Sequence, residues 1–267
     1  MINSKKFAKD MIDARMLGKT GYLTIDHPIR KNAITREMWC AIPEAIHWLA
    51  DDAGARCIVL KGGGTSDFSA GADISEFDEV RKDAVTARDY EKTNSDAFAS
   101  IRTAPVPIIA SIRGICFGGA FGLAAACDLR LCDHTARFAI PASRLGLAYP
   151  ADAVADLVAT LGAQKTRHLL LTASEMSAEE AHEAGFIIEL TEVGNLETHV
   201  SELANTIAAA APLSVRASRA AILAALNHDS AALAKAADFG SVTFESADYA
   251  EGRAAFRERR KPVFTGQ

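Results

Sequence analysis

Two short segments of small residues limit this chain more than any other feature. They are Asp67-Phe68-Ser69-Ala70-Gly71-Ala72-Asp73-Ile74 and, about forty residues on, Gly114-Ile115-Cys116-Phe117-Gly118-Gly119-Ala120. Each follows a run of buried-strand character, residues 57–61 and 107–112, and each leads into a predicted helix. Small residues let backbone N–H groups face a ligand without side chains in the way. Two such turns side by side can hold one oxygen between two N–H donors, an oxyanion hole built from backbone alone.

The surrounding pattern supports a layered α/β fold. Residues 22–25, 57–60, 107–112 and 129–132 are short and mostly apolar, with β-branched side chains concentrated in 57–60 and 107–112. Helical periods lie between them, the first over 35–50 with Thr35 as its N-cap. Strands alternating with helices predict a parallel sheet. From about residue 196 the pattern becomes helical and Ala-rich, with helices expected over 201–211, 212–226, 229–246 and 250–259. Pro212 suits a first helical turn. We therefore divide the 267 residues into an α/β core, 1–195, and a helical region, 196–267.

Composition narrows the function classes. Charged residues make up 24% and the net charge is −5, so neither disorder nor a global field for nucleic acid is expected. The N-terminus has no signal-peptide core, and no uncharged run spans a bilayer. The five cysteines form no C-x-x-C pair and are expected to be reduced core residues of a cytoplasmic protein without a metal site. The Gly62-Gly63-Gly64-Thr65-Ser66 run lacks the ending of a P-loop and predicts a turn.

Five segments in order resemble the crotonase superfamily, the enoyl-CoA hydratase/isomerase enzymes, over nearly the whole chain. They are Ile25 to Ala33 through His27-Pro28-Ile29-Arg30-Lys31-Asn32, Ser69-Ala70-Gly71-Ala72-Asp73, and Ile112-Arg113-Gly114 through Gly118-Gly119 to Ala126-Cys127-Asp128. Phe138-Ala139-Ile140-Pro141 with Leu145-Gly146-Leu147 follows, then Glu251-Gly252-Arg253-Ala254-Ala255-Phe256 with Arg260-Lys261-Pro262-Val263-Phe264. The resemblance implies a spiral of repeated β-β-α units and a C-terminal helical trimerisation region, giving a homotrimer or a hexamer. It implies an acyl-CoA thioester as partner, with coenzyme A part of the substrate and no separate cofactor. It assigns the oxyanion donors to the backbone of Ala72 and Gly119. Around them it places Ala70, Gly71, Asp73, Ile74, Gly118, Pro141, Arg144 and Leu145. It places CoA contacts at Arg30, Lys31 and Ala33, and at Lys261 and Phe264 in the tail.

The chain departs from the family where acid and base belong. Hydratases of the family carry one glutamate after the second oxyanion turn and another after Phe-x-x-Pro. Those positions hold Gly122 and Ala142. Neither can transfer a proton, and a positioned acid or base is worth about 10²–10⁴ in rate. Efficient hydration is therefore not expected. The polar loop 143–152 supplies the replacements to consider, Tyr149 and Asp152. Tyr149 is either a proton donor or a wall of the acyl pocket, and Asp152 either a base or a helix cap. Arg144 pairs with a substrate carboxylate or lies at a subunit interface. Decarboxylation of a malonyl-type ester needs no strong base, because loss of CO₂ itself generates the enolate. A CoA-ester binder without catalysis is the third reading. His134 and His168 read as surface or structural histidines. The charged helix expected over 80–97, Arg81 included, reads mostly as a solvated face, while the resemblance places this region beside the acyl pocket, where it would set chain-length preference.

Overall fold

A computed structural model describes residues 3–267. The chain opens with three antiparallel strands, β1 (Ser4–Phe7), β2 (Ile12–Leu17) and β3 (Thr20–Ile25). Helix α1 (Arg36–His47) comes next, its N-terminus capped by Thr35, whose side chain accepts from the Met38 N–H. Strand β4 (Cys57–Gly62) leads to α2 (Phe77–Val80) and α3 (Ala84–Thr103). Then come β5 (Ile108–Ile112), β6 (Ile115–Phe117), α4 (Gly119–Ala126), β7 (Leu129–Asp133) and β8 (Arg137–Ala139). After α5 (Ala151–Thr172) the chain forms β9 (Glu175–Ser177), α6 (Ala178–Glu183) and β10 (Glu189–Thr191). Four helices close it: α7 (Leu196–Ala209), α8 (Pro212–Leu226), α9 (Ser230–Thr243) and α10 (Ala247–Glu258).

The main sheet has seven strands in the order β1-β2-β3-β4-β5-β7-β10, parallel from β3 onward. A second sheet orders β6-β8-β9. Strands buried on both faces read as continuous apolar runs, and β5 is buried at all five positions. Alternate residues serve two cores. Cys57, Val59, Ile109 and Leu131 meet Leu196, Val200 and Ala204 of α7 on one face. Ile58, Leu60, Ile108 and Ala110 face the main core with α1 and α4 on the other. The main core also buries Trp39, Phe68, Tyr90, Phe98, Phe121, Phe138 and Phe186. Each such side chain is worth about 1.5–3 kcal/mol of burial.

The four predicted strands are present, and the α8 boundaries match the expected ones. Helix α5 carries a non-helical break at Gly162, where φ is +72°. One cysteine corrects the sequence reading. Cys57, Cys116, Cys127 and Cys132 are buried, but Cys40 is exposed on α1. The apolar face of α1 is set by Met38, Trp39, Ala41, Ile42, Ala45 and Ile46, which turns residue 40 outward. No single helix among the described residues is long and apolar enough to cross a membrane.

Candidate active site

The two small-residue turns meet. Ile34 donates its N–H to the Gly71 carbonyl at 2.7 Å and accepts from the Asp73 N–H at 2.9 Å. This parallel bridge pairs Ile34 with Ala72 and leaves the Ala72 N–H facing the other way. On that side the Phe117 N–H donates to Ser69 at 3.1 Å and Gly118 to Ala139 at 2.8 Å, which fixes the second turn. Gly118 takes φ +52°, and α4 begins at Gly119. The Gly119 N–H, at the first helical position, has no intrahelical partner. Neither the Ala72 nor the Gly119 N–H has a backbone or side-chain acceptor among the described residues.

Close approach explains the glycines. A Cβ on Gly71, at φ +85°, would stand 2.4 Å from the Phe117 carbonyl oxygen and 3.1 Å from the Gly119 nitrogen. A Cβ on Gly119 would lie 2.8 Å from the Trp39 ring and 3.9 Å from the Ala72 nitrogen. Any larger residue would force the donors apart. Asp73 is buried and holds the first turn rather than facing a ligand. Its carboxylate accepts from the N–H and hydroxyl of Ser75 at 3.0 and 2.7 Å and lies 3.6 Å from the Arg30 guanidinium.

A narrow cavity of about 90 Å³ opens at these donors, lined by Ala70, Ala72, Gly118, Gly119, Pro141, Ala142, Leu145 and Tyr149 among others. Ile74, Phe77, Arg81, Asn94 and Phe98 complete the side facing α2 and α3. No Asp, Glu, His or Lys lines it. The Tyr149 hydroxyl donates to the Gly118 carbonyl at 2.9 Å. Burial pushes its phenol well above the ordinary value, so it enters the site neutral. A Cβ on Gly122 would stand 2.7 Å from that hydroxyl and 2.8 Å from the Phe98 ring. The space where a glutamate side chain would start is thus filled by Tyr149 and Phe98.

The remaining sequence candidates divide. Asp152, considered as a base, is drawn elsewhere: Arg102 donates to it at 2.9 Å and Ser95 at 3.2 Å, and it does not line the cleft. Nor does it cap α5, because Pro150 holds that position. Arg30 and Lys31 sit on the turn before α1, where the Lys31 carbonyl accepts from the Ala70 N–H at 2.9 Å. Ala33 is buried there, and its carbonyl meets the His27 ring at 3.2 Å. Arg144 is exposed on the 3-10 turn Pro141–Leu145, the turn that also carries Leu145. Lys261 and Phe264 lie with α10, away from the cleft within one chain. The Phe264 ring meets Gly252, and its carbonyl accepts from Arg56 at 3.0 Å.

Arg81 lies beside the acyl cleft as the resemblance implies, but not on the solvated face that its charge pattern predicts. A charged helix face predicts solvation, yet the Arg81 side chain is only 13% exposed and lines the cleft. Its guanidinium stacks over Phe77 at 4.8 Å and Tyr90 at 5.0 Å. An aromatic residue on each side of a basic one in Phe77-Asp78-Glu79-Val80-Arg81 and Tyr90 was the available signal.

The molecule's likeness to known proteins follows this architecture. Residues 18–267 match the family model described as enoyl-CoA hydratase/isomerase. A crotonyl-CoA hydratase of Syntrophomonas wolfei is 30% identical over 92% of this chain and 94% of its own length. A short-chain-enoyl-CoA hydratase of Clostridium acetobutylicum is 29% identical over 91% and 93%. The crystal structure of an enoyl-CoA hydratase/carnithine racemase of Magnetospirillum magneticum superposes with a TM-score of 0.90 at 33% identity, covering 98% of this chain and 97% of that one. With the family match running almost end to end, the chain belongs to the enoyl-CoA hydratase/isomerase family, within the crotonase superfamily.

Proposed function

We propose that the protein binds an acyl-CoA thioester, holds its carbonyl oxygen between the Ala72 and Gly119 N–H groups, and stabilises the enolate formed there. The observation that carries this is the pair of converging, unpartnered N–H donors. Negative charge grows on the thioester oxygen as the enolate forms, so donors already fixed in place act most strongly on the transition state. The start of α4 adds its dipole to the same charge. Coenzyme A enters as part of the substrate.

The residues that line the cleft support one route to the enolate over the others. Hydration and double-bond isomerisation both need a base at the reacting carbon. The lining offers only Tyr149, a phenol held neutral. Carbon–carbon cleavage fits better, and decarboxylation of a malonyl-type ester is its simplest form. The bond from the α-carbon to the carboxylate breaks, its electron pair enters the enolate, and CO₂ leaves. Tyr149 then gives its proton to the α-carbon and is reprotonated from water. Relatives named as hydratases make hydration the competing reading, but no side chain here replaces both glutamates.

We also propose that chains assemble as trimers, or hexamers of two trimers, through the C-terminal helices. Ile222, Leu226, Leu233, Val242 and Phe256 leave a broad apolar face there without cover in a single chain.

Wild type and Ala72→Pro, assayed with malonyl-CoA and crotonyl-CoA, test the reaction. The expected result is malonyl-CoA turnover that falls about 10²–10³-fold in the variant, the cost of one oxyanion donor, with slow hydration of crotonyl-CoA in both. Rapid hydration by the wild type would overturn the decarboxylation reading. Tight binding with turnover of neither ester would leave a CoA-ester binder. Retained binding of a saturated acyl-CoA shows that the variant is folded.

A further inference from the structure

The acyl cleft contains one charge and no counter-charge of its own. Arg81 is the only ionisable side chain besides Tyr149 in its lining. Its Nη1 meets Glu91 at 3.2 Å, on the outer side, where Glu91 is 38% exposed. Its Nε is closed off from solvent and has no acceptor among the described residues. Buried guanidinium nitrogens without acceptors are uncommon, because leaving such a donor unmade costs more than making it gains. Asn94 lines the same small cavity and is 5% exposed. Its Oδ1 accepts from Thr93 at 3.4 Å, and its amide N–H₂ donates to no described residue. Phe77 and Tyr90 hold the guanidinium plane in position by stacking.

We propose that Arg81 and Asn94 form a carboxylate subsite inside the acyl cleft, so that the acyl group this protein selects is a short chain bearing a carboxylate. The inference rests on the acyl-CoA reading of the cleft. A purely hydrocarbon chain would bring apolar atoms against the one charged side chain of the lining and against the Asn94 amide and pair neither. A carboxylate offers two oxygens, matching the guanidinium fork and leaving lone pairs for the amide. Glu91 offsets only part of the Arg81 charge, because it stands toward solvent. Arg81 acts by binding and orientation and transfers no proton.

Two measurements on wild type, Arg81→Gln and Arg81→Lys test the subsite. The first is calorimetric binding of succinyl-CoA against 4-methylvaleryl-CoA, an uncharged ester of nearly the same shape. The second is the kinetics of malonyl-CoA. The subsite predicts a wild-type preference for the carboxylated ester of about ten- to hundredfold, the scale of hydrogen bonds to a charged group. Arg81→Gln abolishes the preference and Arg81→Lys keeps part of it. Binding of 4-methylvaleryl-CoA is kept or strengthened in Arg81→Gln, and wild-type circular dichroism and melting curves show that the variants fold. If malonyl-CoA is the substrate, Arg81→Gln raises KM while kcat holds or rises, because the departing carboxylate loses its charge in the transition state. Equal affinity for charged and uncharged esters, unaltered by substitution and with an unchanged KM for malonyl-CoA, overturns the subsite alone. Failure of both esters to bind the wild type overturns the acyl-CoA reading with it. Preference for succinyl-CoA without malonyl-CoA turnover sustains the subsite and removes decarboxylation.

Discussion

Tyr149 and Asp152 are three residues apart in sequence and have unrelated roles in the structure. The Tyr149 hydroxyl reaches the oxyanion turn through Gly118, whereas Asp152 turns to Arg102 and Ser95. Substitution should separate them cleanly. Tyr149→Phe removes the one proton the cleft can give, and turnover is expected to fall by about 10²–10⁴. Asp152→Asn should leave kcat unchanged and lower the melting temperature, since it weakens a tie between α3 and α5. Unchanged kcat in Tyr149→Phe would reduce the phenol to a wall and a clamp on Gly118. Sequence made Gly71, Ala72 and Gly119 legible because their task depends on having little or no side chain. It did not make Arg81 legible. The flanking Phe77 and Tyr90 are a weak signal on their own, because only the packing of α2 against α3 turns the guanidinium between the two rings.

At the scale of elements, capping chemistry was readable where it is local. Thr35 caps α1 as its spacing predicts, and Asp229, placed at the start of a helix by the sequence, accepts from the N–H groups of Ala231 and Ala232. The C-terminal tail was not readable, because what holds it is tertiary. Buried Asp248 on α10 accepts from the N–H groups of Thr265 and Gly266 at 2.6 and 2.8 Å. On the surface Glu251 pairs with Arg260 at 2.6 Å and accepts from the Val263 N–H at 2.9 Å. Hydrogen bonding from Arg260, with that N–H, lowers the Glu251 carboxyl from 4.5 to about 2. A carboxyl lowered by folding stabilises above its unfolded value and stops doing so as pH falls through its folded one. The outer tie of the tail should therefore loosen between pH 4.5 and about 2. Added salt should weaken it at any pH, because both partners are solvated. Asp248→Ala should free residues 265–266 even at neutral pH. Backbone NMR shifts of Val263 and Gly266 report the two ties separately. A Val263 shift that ignores acid and salt would show that the surface pair holds nothing.

For the whole molecule, the apolar side chains that remain in water are what the proposed assembly would cover. The α/β core buries its large side chains, with Trp39, Phe98 and Phe121 fully enclosed. The C-terminal helices do not. In α9 only Ala236 is buried, and Leu233, Phe239 and Val242 of that helix are exposed together with Ile222 and Leu226 of α8. Helices rich in Ala permit close approach but contribute little burial within one chain, so cover from a second chain would add to their stability. A second copy supplies the same face at no cost in new sequence, and a closed ring lets every chain cover its apolar residues equally. The protein is expected to sediment as a trimer or a hexamer at micromolar concentration. Ile222→Lys with Leu226→Lys places two charges in that face, where each unpaired charge is costly to bury, and should shift the species toward monomer. If the double variant sediments with the wild type, the face is not the interface. If it becomes monomeric yet still binds a saturated acyl-CoA with wild-type affinity, the Ala72–Gly119 cleft is complete within one chain. A loss of affinity in step with the loss of assembly would show instead that a neighbouring chain completes the CoA site, as the distance of Lys261 and Phe264 from the cleft within one chain leads us to expect.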